Sequence, residues 1–149
     1  MAITREQAIA YIRAREPHTI HKTLGIQVEG LEEGQIRVVT EVGEHLFQPT
    51  GIVHGGVYVL LAESAASVAA AFEVDLEKYT VAGMEINANH LRPVTEGTLI
   101  ATPSLLHRGK SSLVYGIEVR DGQGRLVCIS RCTMAVKPWG KHTVGINQD

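Results

Sequence analysis

The chain has 149 residues and a mass of 16.2 kDa, room for a single core of ordinary size. Hydrophobic residues at 44%, charged residues at 20% and a mean hydropathy of +0.04 exclude a disordered or fibrous chain. A formal net charge of −2 and a pI near 6.4 lack the positive field that nucleic acid demands, so no nucleic-acid partner is expected.

In chain order, Thr4 to Arg15 sets Ala8, Ile9 and Ile12 at helical spacing behind a Thr4 cap, which predicts a short amphipathic helix. Its scattered arginines leave no unbroken apolar core of the kind a signal peptide carries. From Leu24 the pattern changes. Ile26-Gln27-Val28, a loop from Gly30 to Gly34, and the β-branched run Ile36 to Thr40 read as a hairpin. Glu63 is the only Asp, Glu, Lys or Arg between Glu44 and Glu73. The alanine-rich run Val57 to Phe72, free of Gly and Pro, predicts a helix, and one apolar on nearly every side belongs inside the protein. No stretch reaches the roughly 20 apolar residues of a membrane span, and the nearest is interrupted by Glu63, so no membrane partner is expected.

Four β-rich segments follow, Val81 to Leu91, Thr98 to His107, Leu113 to Arg120 and Leu126 to Lys137. Asp121-Gly122-Gln123-Gly124 joins the last two as a hairpin turn. It is not read as a dinucleotide loop, because no helical pattern follows Gly124. Cys128 and Cys132, on one strand, would lie about 13 Å apart, beyond the roughly 7 Å a disulfide spans. Reduced thiols in a cytoplasmic protein are the expectation. The tail, 139–149, is polar, contains Gly and is expected to be poorly ordered. The whole reads as one α+β domain, 1–149, with a core over about 24–137 and an antiparallel sheet curled around one long helix.

Chemistry concentrates at Gln48-Pro49-Thr50-Gly51-Ile52-Val53-His54-Gly55-Gly56, which runs straight into that helix. Unpaired N–H groups at a helix start favour negative charge, so Gly55 and Gly56 are candidate donors to an oxyanion; close packing of the helix start against the sheet is the plainer alternative. A lone Glu in an apolar helix costs several kcal/mol if buried unpaired. Glu63 therefore either forms a structural ion pair or lines a pocket. Gly56, Val59, Glu63, Ser67 and Ala70 share a helical face, and Ser67 stands within reach of the carboxylate. Gln48 and His54 lie on the loop before the helix, and His90 sits near a strand end where Pro93 turns the chain. No Gly-X-Ser-X-Gly elbow occurs. His18 and His21 stand apart from acidic or Cys ligands in the sequence, so neither metal nor cofactor is expected.

Taken together, His54-Gly55-Gly56, Glu63, the segment Glu85-Ile86-Asn87-Ala88-Asn89-His90-Leu91-Arg92-Pro93 and the turn His107-Arg108-Gly109-Lys110 resemble the hotdog-fold acyl-CoA thioesterases, most of all the subgroup acting on aryl-CoA or aryl-carrier-protein thioesters. The likeness spans roughly Leu24 to Val136. It implies a helix wrapped by an antiparallel sheet, a dimer or dimer of dimers, and active sites at the subunit boundary. It further implies Glu63 as nucleophile or general base, the Gly55 N–H polarising the thioester carbonyl, and Gln48 and His54 as positioning residues. Ser67, His90 and Gly56 would then stand beside the substrate. The Arg108 and Lys110 turn would meet the phosphates of coenzyme A, a charge-assisted contact. A non-catalytic acyl-CoA-binding domain and an enoyl-thioester hydratase on the same fold are the competing readings.

Overall fold

The computed structural model describes residues 4–139. Helix α1, Arg5–Arg15, begins as expected at Thr4, whose hydroxyl accepts from the Gln7 N–H at 3.2 Å while Gln7 Oε1 accepts from the Thr4 N–H at 2.8 Å. This reciprocal cap satisfies two backbone donors that the first turn leaves open. A short helix α2, Ile20–Leu24, leads into β1, Ile26–Glu29, and β2, Arg37–Glu41, which pair antiparallel as the predicted hairpin. Gly30 turns that hairpin at φ +70°, where a Cβ would run into the Gln35 carbonyl.

The long helix α3 covers Gly55–Ala71. Strands β3, Tyr79–His90, β4, Thr98–Arg108, β5, Ser112–Asp121, and β6, Leu126–Pro138, complete one antiparallel sheet in the order β1-β2-β4-β5-β6-β3. All four predicted late strands are present, shifted by one or two residues at their ends. At the β5–β6 turn the buried Asp121 carboxylate accepts from the backbone N–H groups of Gln123 and Arg125 and from Arg125 Nε, holding the hairpin closed. Tail residues 140–149 lie outside the described residues. Trp139, at its start, is tied back by Nε1 to the Leu76 carbonyl at 2.8 Å.

One face of α3 packs into the sheet through Leu61, Ala62, Ala65, Ala66 and Ala70, all fully buried. Alanine here brings the helix axis close to the strands. From the other side β4, β5 and β6 supply Leu99, Ala101, Leu113, Ile117, Val119 and Met134, inward at alternate positions. Each large side chain so buried contributes about 1.5–3 kcal/mol. The expectation of a helix buried on nearly every side needs correction. Val59, Leu60, Glu63, Ser64, Ser67 and Val68 are only half-buried, because the sheet wraps one side of α3 and leaves the opposite face open. An apolar sequence cannot distinguish a side covered by its own chain from one left uncovered.

Strand β3 lies at the sheet edge, paired on one side with β6. In β6 the buried residues Cys128, Ser130, Cys132 and Met134 mark the face turned towards α3. Their partners in β3 are His90, Ala88, Ile86 and Gly83, so these four share that inner face. The register slips between Gly83 and Glu85, where Met84 bulges out and is 65% exposed. Among the described residues no helix is long and apolar enough to cross a membrane.

Candidate functional site

Helix α3 opens at His54. Its Nδ1 accepts from the Gly56 N–H at 2.9 Å, which puts the ring proton on Nε2 and leaves that N–H pointing outward as a donor. The Gly56 N–H is therefore already occupied, which corrects the expectation of two open donors. The Gly55 N–H makes no hydrogen bond among the described residues and is the open donor of the helix start. Gly55 is constrained by its neighbour across the fold: a Cβ there would come within 3.0 Å of His90 Nε2. The His90 ring also stacks, tilted, on Tyr58 at 5.4 Å between centroids. Gln48, Gly55, Tyr58, His90 and Arg92 thus line one cleft of about 260 Å³. Within it the Gln48 amide donates to Thr50 Oγ1 at 2.7 Å, holding the side chain on its loop.

Two turns along α3, Glu63 lines a different cleft of about 420 Å³ with His21, Gly56, Ser64, Ser67 and Val68. Among the described residues no ion pair or hydrogen bond engages the Glu63 carboxylate, and the predicted Ser67 contact is not made. Among the described residues the structural-pairing alternative for Glu63 finds no partner. The carboxylate is a free acid at the mouth of a half-open cleft, lying against Gly83 of the edge strand. Its charge and that of Glu85 act on the buried Cys132 thiol, whose pKa is pushed up to about 11, first by burial and then by these two carboxylates. Burial, and then the Cys128 sulfur, likewise raise the Tyr58 hydroxyl above its ordinary value. That hydroxyl is buried without a hydrogen-bond partner among the described residues.

Gly55 and Glu63 are eight positions apart on α3, a rise of about 12 Å. A reacting carbonyl needs donor and acid each within about 3 Å. Within one chain the two clefts accordingly stay separate.

Arg108 and Lys110 sit at neither cleft of their own chain. Arg108 is bound at the far end of α3, its Nη1 3.1 Å from Glu73 Oε2 and its Nη2 donating to the Glu73 carbonyl, while Lys110 is exposed on the following turn.

Three neighbours escape a reading of the sequence. Tyr58 reads as core and Gly83 as a strand residue. His21, which stands apart from acids along the chain, comes to rest with Nε2 3.2 Å from Ser64 Oγ and Nδ1 3.8 Å from Glu16 Oε1. Glu16 is itself fixed by the Val28 N–H at 3.1 Å, so this network seats the N-terminal segment against the Glu63 cleft. Among the described residues no His, Cys, Asp or Glu cluster has the make-up of a metal site.

The profile of the Thioesterase superfamily matches residues 50–128, which span both Gly55 and Glu63. The 1,4-dihydroxy-2-naphthoyl-CoA hydrolase of Listeria monocytogenes is 46% identical over 118 residues, covering 79% of this chain and 95% of that protein. The hydrolase of the same name from Escherichia coli K12 is 40% identical over 113 residues, covering 76% and 82%. The crystal structure of a thioesterase from Haemophilus influenzae superposes with a TM-score of 0.81 at 33% identity, covering 96% of each chain. An α+β sheet around one helix, an open helix-start donor and a free acid within the matched span agree with these likenesses: the chain belongs to the thioesterase superfamily and is a thioester hydrolase.

Proposed function

We propose that the protein hydrolyses aromatic acyl-CoA thioesters to a carboxylic acid and free CoA, with Glu63 as nucleophile or general base. The observation that carries this reading is the free Glu63 carboxylate, the one charge on an otherwise apolar helix, open to a cleft and held by no partner among the described residues. A merely structural acid would be paired. The Gly55 N–H, at the positive end of α3, polarises the carbonyl and stabilises the charge it gains on attack. His54 keeps that end in shape through Gly56 and presents Nε2–H, with Gln48, towards the thioester. Ser67 and His90 flank the acyl group. Arg108 and Lys110 meet the phosphates of the CoA moiety. The aromatic preference rests on the two relatives named as 1,4-dihydroxy-2-naphthoyl-CoA hydrolases.

Because donor and acid of one chain occupy separate clefts, each working site combines the Gly55 end of one subunit with Glu63 of another. Two features support such an assembly. Among the described residues the outer edge of β3 pairs with no strand along its twelve residues, and Val59, Leu60 and Val68 leave the open face of α3 apolar. A two-fold pairing, repeated as a dimer of dimers, covers both and generates equivalent sites. The buried free thiols Cys128 and Cys132 suit a reducing cytoplasm.

The test is Glu63→Gln, which keeps the side-chain shape and removes the base. It lowers kcat by about 10²-fold or more on the substrate that a panel of benzoyl, hydroxybenzoyl, naphthoyl and fatty acyl-CoA thioesters selects. Near-wild-type turnover removes Glu63 from the mechanism, and a fatty acyl preference removes the aromatic assignment. Crotonyl-CoA in the same panel separates hydration from thiol release.

A further inference from the structure

Glycine inside a strand is unfavourable relative to alanine and usually marks an unusual backbone angle or a close approach. Gly83 in β3 is not among the residues at positive φ, so its backbone suits any L-residue. The reason for glycine is steric and comes from one side chain. A Cβ at position 83 would overlap Glu63 Oε1 and would stand 3.2 Å from Glu63 Cδ and 3.8 Å from Cγ, with no other residue nearer. Gly83 pairs with buried Met134, so that Cβ would point inward to the place the carboxylate occupies.

From this we infer that Gly83 is a positioning residue for the reaction: the missing side chain forms the niche in which the Glu63 carboxylate rests. This rests on the proposed role of Glu63. No hydrogen bond or ion pair to the described residues orients that carboxylate, so the wall of β3 is what limits its swing. Filling the niche moves the acid without altering its chemistry. The fold is spared, because the obstructing atoms belong to a flexible half-buried side chain, and the atoms nearest the added Cβ are all of Glu63 and not of the residues proposed to hold the substrate. The signature is a fall in kcat with KM retained, since displacing a catalytic group by about 1 Å costs on the order of 10²-fold.

The experiment is a double-mutant cycle on the full-length protein, reading kcat, KM and Tm for Gly83→Ala, Glu63→Asp and their combination, with Glu63→Gln as control. Gly83→Ala is expected to lower kcat about 10- to 100-fold with KM changed less than about threefold. Asp is shorter by one methylene and withdraws from the new methyl. The double variant should therefore exceed the product of the two single effects by at least about fivefold. Wild-type kcat in Gly83→Ala, or strictly multiplicative effects, overturns the inference while an impaired Glu63→Gln leaves the Glu63 assignment standing. An active Glu63→Gln overturns both. Should Gly83→Ala fail to fold, Glu63→Ala and Gly83→Ala/Glu63→Ala decide the matter by stability alone. Equal Tm values uphold the niche, whereas loss of folding in the combined variant shows that the glycine serves the strand itself.

Discussion

Mixing two inactive variants tests the shared site directly. Glu63→Ala removes the acid. His54→Ala removes the acceptor for the Gly56 N–H, a cap whose loss costs helix ends about 0.5–2 kcal/mol, and with it the shape of the turn that presents the Gly55 donor. Each homodimer then carries the same defect in both sites. Helix α3 rises about 12 Å between Gly55 and Glu63, and on the shared-site reading the donor and acid of one chain serve different sites. In a mixed dimer one site collects both substitutions and the other neither. Random pairing makes about half the dimers mixed, each with one of two sites intact, so roughly 25% of wild-type activity returns on symmetry alone. Purification through two different tags removes the parents and raises the figure to about half. The assay is release of CoA thiol from the best substrate, with both chains co-expressed so that slow exchange does not limit mixing. Heterodimers no more active than the sum of the two parents would refute the shared site and require each subunit to build its own.

Replacing both Arg108 and Lys110 by Ala should raise KM for CoA thioesters with kcat within about twofold, and the rise should shrink at high salt. Arg108 is exposed in its pair with Glu73, a contact worth only about 0–1 kcal/mol, so Tm hardly moves, and an unchanged KM at low and high salt would place both residues on inert surface. Cys132 and Tyr115 are held protonated up to about 11 and about 12, each chiefly by burial. The unfolded chain ionises them sooner and binds fewer protons, so stability is intact below about pH 8.5 and falls as pH rises towards these values. The Tyr115 hydroxyl is buried and without a partner among the described residues, so Tyr115→Phe should be neutral or stabilising by up to about 1 kcal/mol at pH 7 and should flatten the loss between pH 10 and 12, which urea unfolding across that range would measure.

Periodicity made the elements of this fold legible. The alternation in Leu113 to Arg120 and the alanines of Val57 to Phe72 carry their own geometry, and Asp121 with two nearby glycines carries its turn. Strand order was not legible, because nothing in the pattern of β3 says that it pairs with β6 and not with β4. The site divides the same way. Glu63 is conspicuous as a lone charge, and Gly55-Gly56 as a break before a helix. That only one of the two glycine N–H groups stays open depends on how the His54 ring turns, which spacing does not encode. His21 and Gly83 matter through what reaches them from distant segments. Before folding they are a histidine in a short helix and a glycine in a strand.

Seven residue steps separate Gly83 from His90, an odd number, yet both face α3. A regular strand shows one face at every second residue, so the bulge at Met84 supplies the step that makes the count come out. The strand thereby holds slack. Loss of one residue between those two positions leaves six steps, matching the six of β6 from Cys128 to Met134, so an unbulged strand keeps Gly83 and His90 inward; gain of one sets eight steps against those six and demands a second irregularity in the same edge. Across descendants of this chain, β3 should shorten by a residue more readily than it lengthens, with the acid and the His90 contact surviving the change.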